Sequence, residues 1–233
     1  MIHAENWVHS DPDPETKSLG QEILDRGDTE EIERFFSGRL HFGTAGLRAP
    51  LGPGPNRMNC AMVRRVTYAV GQHMKSEVPD ALERGVVLGF DGRHGSRRFA
   101  AEATGVLSAL GFRVHYFETV IPTPRLGHAV GALGAAGGIM VTASHNPPED
   151  NGYKVFWADA AQIVPPHDTG ISARLDEVES TNDVPFVPSG ERDKTGRVTP
   201  IPDTVHDKYF EEVRALRVYD GPTKLRIVYS AMH

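Results

Sequence analysis

The chain has 233 residues, 39% of them hydrophobic and 24% charged, enough apolar material for one ordinary domain and part of a second. With 25 Lys and Arg against 31 Asp and Glu, the net charge is -6. A polyanion needs cations clustered on one face, so nucleic acid is excluded as an expected partner, whereas a small anion needs only a local positive site.

The first residues, Met1 to Asp11, mix His, Glu and Asp and lack the apolar core of a secretion signal. Glu15 to Arg26 carries Leu19, Ile23 and Leu24 at helical spacing and stops at Gly27. Asp28 and Glu31 have capping-box spacing ahead of Ile32, Phe35 and Phe36, which predicts a second helix ending near Gly38. Asn59 precedes a third, Cys60 to Glu77, with Met62, Val63, Val66, Val70 and Met74 on one side. Its Cys60 is the only cysteine, which excludes an internal disulfide and reads as a small buried hydrophobe.

Val86 to Phe90 is a continuous apolar run and predicts a buried strand that delivers Asp91-Gly92-Arg93 to a loop. A helix from Arg97 to Leu110, a strand from Arg113 to Phe117, a helix around Leu126 to Leu133 and a strand from Gly138 to Thr142 follow, with short links. The least polar stretch, Ala129 to Ala143, is mostly Gly and Ala and too short for a bilayer, which takes about 20 apolar residues. A cytoplasmic protein without a membrane partner is expected. The alternation of strands and helices predicts an α/β layered sheet with its ligand loops at the carboxyl ends of parallel strands. Thr169 to Val178 predicts another helix, and Val184 to Pro202, rich in Pro, Gly and charge, reads as domain edge and linker. Asp203 to Leu216 is then a helix opening a second domain, and Leu225 to Tyr229 a strand.

The segment Thr142-Ala143-Ser144-His145-Asn146-Pro147-Pro148-Glu149-Asp150-Asn151-Gly152-Tyr153-Lys154 follows a strand and is too polar for core, so it reads as a loop. Its amides and its Ser, His, Asn and Lys side chains can converge on an anion. Three readings of Ser144 compete. It satisfies loop backbone groups locally; it is a hydrolase nucleophile with His145 as base; or it carries a phosphoryl group amid cations. The hydrolase reading lacks the Gly-x-Ser-x-Gly elbow, and adjacent side chains on an extended segment point apart. Phe42-Gly43-Thr44-Ala45-Gly46-Leu47-Arg48 has two glycines able to turn closely round a ligand and a guanidinium with forked donors for phosphate, a pattern also common in plain structural turns.

Both segments resemble signatures of the α-D-phosphohexomutase superfamily, the phosphoglucomutases and phosphomannomutases. Ser-His-Asn-Pro running into Asn-Gly-Tyr-Lys resembles the phosphoserine loop, and Phe-Gly-Thr-Ala-Gly-Leu-Arg is similar to a motif of the phosphoglucomutase-2-like branch. The resemblance makes Ser144 the phosphorylated residue and Lys154 a general acid or base, with Arg48 assisting and His145 lining the site. It places Thr44, Arg48, Ser144, His145, Asn146 and Lys154 against the substrate and gives Arg93, in the Asp-x-Arg loop, a supporting position. Ala49 stands where a glycine is usual, a departure that matters if the backbone there needs a positive φ.

The fold implied is a layered α/β/α domain over residues 1–202 with a mixed, mainly parallel sheet, followed over 203–233 by the beginning of a second similar domain. The implied activity interconverts hexose 1-phosphate and hexose 6-phosphate, glucose rather than mannose, through phospho-Ser144 and a hexose bisphosphate that also serves as activator. Mg2+ would sit on the phosphate of Ser144, but the family's Asp-Gly-Asp-x-Asp-Arg metal loop is not in this sequence. The chain alone is therefore expected to be inactive without the carboxy-terminal domains of the same protein. A non-catalytic sugar-phosphate-binding or regulatory module is the alternative.

Overall fold

Every residue of the apolar run Val86–Phe90 is buried, and a strand buried on both faces requires a helical layer on each side. The computed structural model, which describes residues 2–44, 46–192, 194, 196–219, 221 and 224–233, has this α/β/α arrangement. Its strands are β1 (Leu47–Pro50), β2 (Val86–Phe90), β3 (Val114–Tyr116), β4 (Gly137–Val141), β5 (Asp150–Phe156) and β6 (Val198–Pro200). They lie in the order β1-β5-β4-β2-β3-β6. The pairs β4/β2, β2/β3 and β3/β6 are parallel, and β5 and β1 extend the sheet antiparallel. The sheet is thus mixed and mainly parallel, as the sequence implied.

On one face pack α1 (Ile2–Ser10), α2 (Pro14–Arg26), α3 (Thr29–Phe36), α4 (Cys60–Glu77), α6 (Ser96–Ala109) and α8 (His167–Asp176), with α5 (Ala81–Arg84) a single turn between α4 and β2. Val63, Val66 and Val70 of α4 meet Ile139, Tyr153 and Val155 of the sheet in the larger core. The other face is covered by α7 (Thr123–Leu133) and α10 (Asp203–Ala215), whose Leu126, Val130 and Val205 pack on Val87, Met140 and Phe156. The turn α9 (Ser189–Arg192) leads towards β6. Helix starts follow local chemistry: the Asp28 carboxylate accepts from the Glu30 and Glu31 amides, and Asn59 accepts from Met62. Gly27 closes α2 with φ 67°.

Four features differ from the sequence reading. Helix α1 forms from a segment read only as lacking a signal, because Ala4, Trp7 and Val8 bury against the larger core. The polar segment Thr142–Lys154 is a loop only as far as Glu149. From Asp150 it is strand β5, six of whose seven residues are buried, because cross-strand hydrogen bonding and side-chain partners satisfy its polar groups. Within the stretch read as linker, Val198–Pro200 pairs with Val114–Tyr116 and joins the sheet. Leu225–Tyr229, expected as a strand, has no regular structure and stays exposed, pairing with neither of the outer strands β1 and β6. Helix α10 packs on α7, where Glu212 lies 3.1 Å from His128. No helix among the described residues is long and apolar enough to cross a membrane.

The approach to β1 turns tightly through Gly43 and Gly46; Ala45, part of the motif between them, lies outside the described residues. Gly46 has φ 75°, and a Cβ built there would sit 1.9 Å from the Tyr153 carbonyl oxygen. Positive φ and the clash act together against any side chain. Gly46→Ala should therefore lower stability by roughly 2–4 kcal/mol, read as a lower urea midpoint at unchanged m-value.

Candidate active site

Strands β1 and β5 place the two principal cations by register. Arg48 stands opposite Gly152 and Lys154 opposite Met140. Positions 152 and 154 share one face of β5, and a residue directly opposite in an antiparallel pair shares it too. A Cβ on Gly152 would lie 3.2 Å from Arg48 Cγ and 2.6 Å from the Leu47 and Thr142 carbonyl oxygens. Glycine there lets the arginine side chain cross β5 towards Lys154. Lys154 is only 8% exposed. Burial and then the neighbouring Arg48 charge hold its ammonium below the usual lysine range, and Asp91 partly opposes them.

Ala49, where a glycine is usual in the motif, sits in β1 opposite Asn151 with ordinary extended backbone and is not among the residues with positive φ. The departure from the motif is sterically neutral.

Between β4 and β5 the chain makes two consecutive turns, closed by Asn146 N donating to Ala143 O at 3.1 Å and Asp150 N to Pro147 O at 3.1 Å. The Asn146 amide donates to the Asp150 carboxylate at 2.9 Å and ties them together. Ser144 is half-buried with φ 61°, a left-handed conformation costing about 1–2 kcal/mol for a residue with a Cβ. Two restraints hold it there. The Ser144 amide donates to Thr142 Oγ1 at 2.9 Å, and the Ser144 carbonyl accepts from Arg93 at 2.9 Å. The same buried guanidinium also donates to the carbonyls of Asn146, Pro147 and Asp150 at 2.7, 2.7 and 3.1 Å.

The six residues singled out from the sequence are not equally joined. Arg48 Nη1 reaches Asn146 Oδ1 at 3.5 Å, a long contact that links β1 to the serine loop. Ser144 Oγ and His145 Nδ1 are 3.4 Å apart, because the left-handed turn brings adjacent side chains together where an extended segment would separate them. His145 is exposed and has no carboxylate partner among the described hydrogen bonds, so the third member of a hydrolase triad is missing. Thr44 is exposed, and its carbonyl accepts from Gln162 at 2.7 Å; no described contact joins it to the other five. Sequence reasoning overlooked Thr142, Ser96 and Asn151. The last of these is fully buried and donates to His94 O at 2.8 Å and Ser96 Oγ at 2.9 Å. An Asn inside a segment judged too polar to be core was the available signal.

Magnesium fits poorly on this chain alone: among the described residues no three His, Cys, Asp or Glu side chains are grouped to hold a metal ion.

Lys154 has a testable energetic consequence. A lysine whose folded pKa lies below its unfolded value binds protons more weakly when folded, so stability rises with pH between the two values. Lys154→Met should be more stable than the parent at neutral pH, and denaturation midpoints should show that advantage shrinking as pH rises towards the ordinary lysine range.

The family described as phosphoglucomutase/phosphomannomutase, alpha/beta/alpha domain I, matches residues 39–182. A phosphopentomutase of Mus musculus is 35% identical over 239 residues, covering 97% of this chain and 38% of that protein. A glucose 1,6-bisphosphate synthase of Mus musculus is 34% identical over 236 residues with the same shares. In three dimensions the chain matches a solved structure from Thermus thermophilus, whose name places it with the phosphomannomutases, at a TM-score of 0.62 and 29% identity, over 77% of this chain and 36% of that one. The chain thus spans about 38% of the length of these curated relatives. Layered fold, strand-end serine loop and sequence similarity agree, and the chain belongs to the phosphoglucomutase/phosphomannomutase family, whose α/β/α domain I it carries.

Proposed function

We propose that this chain is the phosphoryl-carrying part of a sugar-phosphate phosphomutase, with Ser144 as the carrier. The observation behind this reading is the half-buried serine in a left-handed turn, its backbone gripped by Arg93 and Thr142, on a loop that Arg48 contacts beside Lys154. In the forward half-reaction the sugar hydroxyl oxygen bonds to the phosphorus of phospho-Ser144 while the Ser144 Oγ–phosphorus bond breaks. The hydroxyl proton passes to Lys154, a role that burial and the neighbouring Arg48 favour by lowering its hold on a proton. Arg48 offsets charge on the transferring oxygens. Ser144 Oγ then bonds to the other phosphorus of the sugar bisphosphate as that phosphorus–sugar oxygen bond breaks, and Lys154 returns its proton to the freed oxygen, which leaves the isomerised monophosphate and restores the carrier.

The relatives' names shift the substrate from the glucose phosphate suggested by the motif towards a pentose phosphate, because a phosphopentomutase is among the most similar proteins. Interconversion of pentose 1-phosphate and 5-phosphate is the reaction we place first, and the hexose reaction second. The reading also includes cytoplasmic location, activation by a sugar bisphosphate, and Mg2+ held on the serine phosphate with its remaining ligands from outside this chain. The segment following α10 would begin the part of the protein that supplies them.

Incubation of the full-length protein with pentose or hexose bisphosphate should add one phosphoryl group, mapped by peptide mass to Ser144 and absent from Ser144→Ala. In the full-length protein Lys154→Ala should reduce kcat by about 10²- to 10⁴-fold. Stoichiometric sugar-phosphate binding without any adduct or turnover would instead identify a binding module.

A further inference from the structure

Asp91, the first residue after β2, takes no part in the reaction above, yet it connects the supports on both sides of the serine loop. It is 8% exposed, and its amide donates to Val141 O at 3.1 Å, so the end of the β-ladder fixes its backbone beside β4. Its Oδ1 accepts from the Arg93 amide at 3.2 Å and from Ser96 Oγ at 2.7 Å. Its Oδ2 lies 3.4 Å from Arg93 Nε, an ion-pair distance for an Arg93 side chain that is 0% exposed. Ser96 in turn accepts from the buried Asn151 on β5, the strand that carries Lys154. The carboxylate is therefore bonded to the residue that grips the Ser144 loop and, through Ser96 and Asn151, to the strand beneath Lys154.

A buried guanidinium without a counter-charge is strongly destabilising, and Arg93 has this one carboxylate among the described ion pairs. Arg93 Nε lies at ion-pair distance from Asp91 and has no hydrogen-bond partner among the described residues, while both terminal nitrogens of the guanidinium donate to the loop carbonyls. We propose that Asp91 is a positioning residue that aims Arg93 at the Ser144 loop and, through the same carboxylate, keeps the phosphoryl carrier and Lys154 in one charge-balanced unit. The proposal rests on the mutase reading only in taking Ser144 and Lys154 as the reacting pair. Two charged groups act on the lysine: Arg48 from β1 depresses the ammonium, and Asp91 from the turn after β2 supports it.

The experiment uses the chain without any sugar phosphate, so its outcome is independent of whether the mutase reaction occurs. Amide hydrogen exchange is followed at Asn146 and Asp150, and the Lys154 side chain is titrated by NMR with carbon-13-labelled lysine. Asp91→Asn keeps the shape and the acceptor but loses the charge. It should accelerate exchange at both amides by about tenfold or more and move the Lys154 midpoint downward. Arg93→Lys keeps the cation but loses the fork, and should accelerate exchange without that downward move. Should Asp91→Asn fail to fold, Ser96→Ala removes one restraint on the same carboxylate and should show the faster exchange alone. Unchanged loop exchange in these variants overturns the proposal, as does a loosened loop in Asp91→Asn with the Lys154 titration unmoved.

Discussion

A single buried guanidinium holds the serine loop together. Arg93 gathers the carbonyl oxygens of Ser144, Asn146, Pro147 and Asp150, four groups that would otherwise point in conflicting directions across two tight turns. A loop with two prolines has few amide donors of its own, and the turn bonds use those of Asn146 and Asp150. Charge-assisted donors from outside the loop meet that deficit, each stronger than a neutral hydrogen bond. The left-handed backbone at Ser144 persists only because these contacts over-determine it.

The antiparallel extension of the sheet serves the same site from the other side. Parallel strands β2 and β4 bring Asp91 and the serine loop to their carboxyl ends, where α/β proteins place ligands. Strand β5 then runs back beside β4, and β1 beside β5, so that Arg48 and Lys154 come from residues far apart in the chain yet on one face of neighbouring strands. Gly152 is the steric condition for that approach, and Gly46 the condition for bringing the chain into β1. On the opposite face Tyr153 is fully buried and meets Thr67 Oγ1 at 2.9 Å, which anchors β5 to α4. Alternation along β5 thus separates an anchoring face from a chemical one.

The resulting site has a half-buried serine hydroxyl, two cations of different character and a loop held by Arg93, but no described carboxylate cluster for a metal. That composition suits one half of a phosphoryl-transfer site, consistent with a chain covering 38% of its curated relatives. Arg48 offers permanent charge and Lys154 a proton that burial makes easier to release. The two are not interchangeable, and their closeness is part of why the lysine is a weaker proton holder.

The sequence by itself determined the strand and helix alternation, the helix caps at Asp28 and Asn59, and the identity of the serine loop, because these depend on local periodicity, capping and contiguous motifs. It was less informative wherever polarity was satisfied at long range. Asp150 to Lys154 was misread because Asn151 and Lys154 look like loop residues until β5 pairs with β1 and β4 and, for Asn151, His94 and Ser96 accept its side-chain amide. Val198–Pro200 is too short to be recognised before β3 offers its edge, whereas Leu225–Tyr229 has the pattern of a strand but pairs with no described strand. The roles of Arg93, Asp91 and Gly152, and the harmlessness of Ala49, were decided only by the tertiary structure. Each depends on which backbone lies within a few ångströms of the residue, and sheet register, rather than any residue's own propensity, sets that distance.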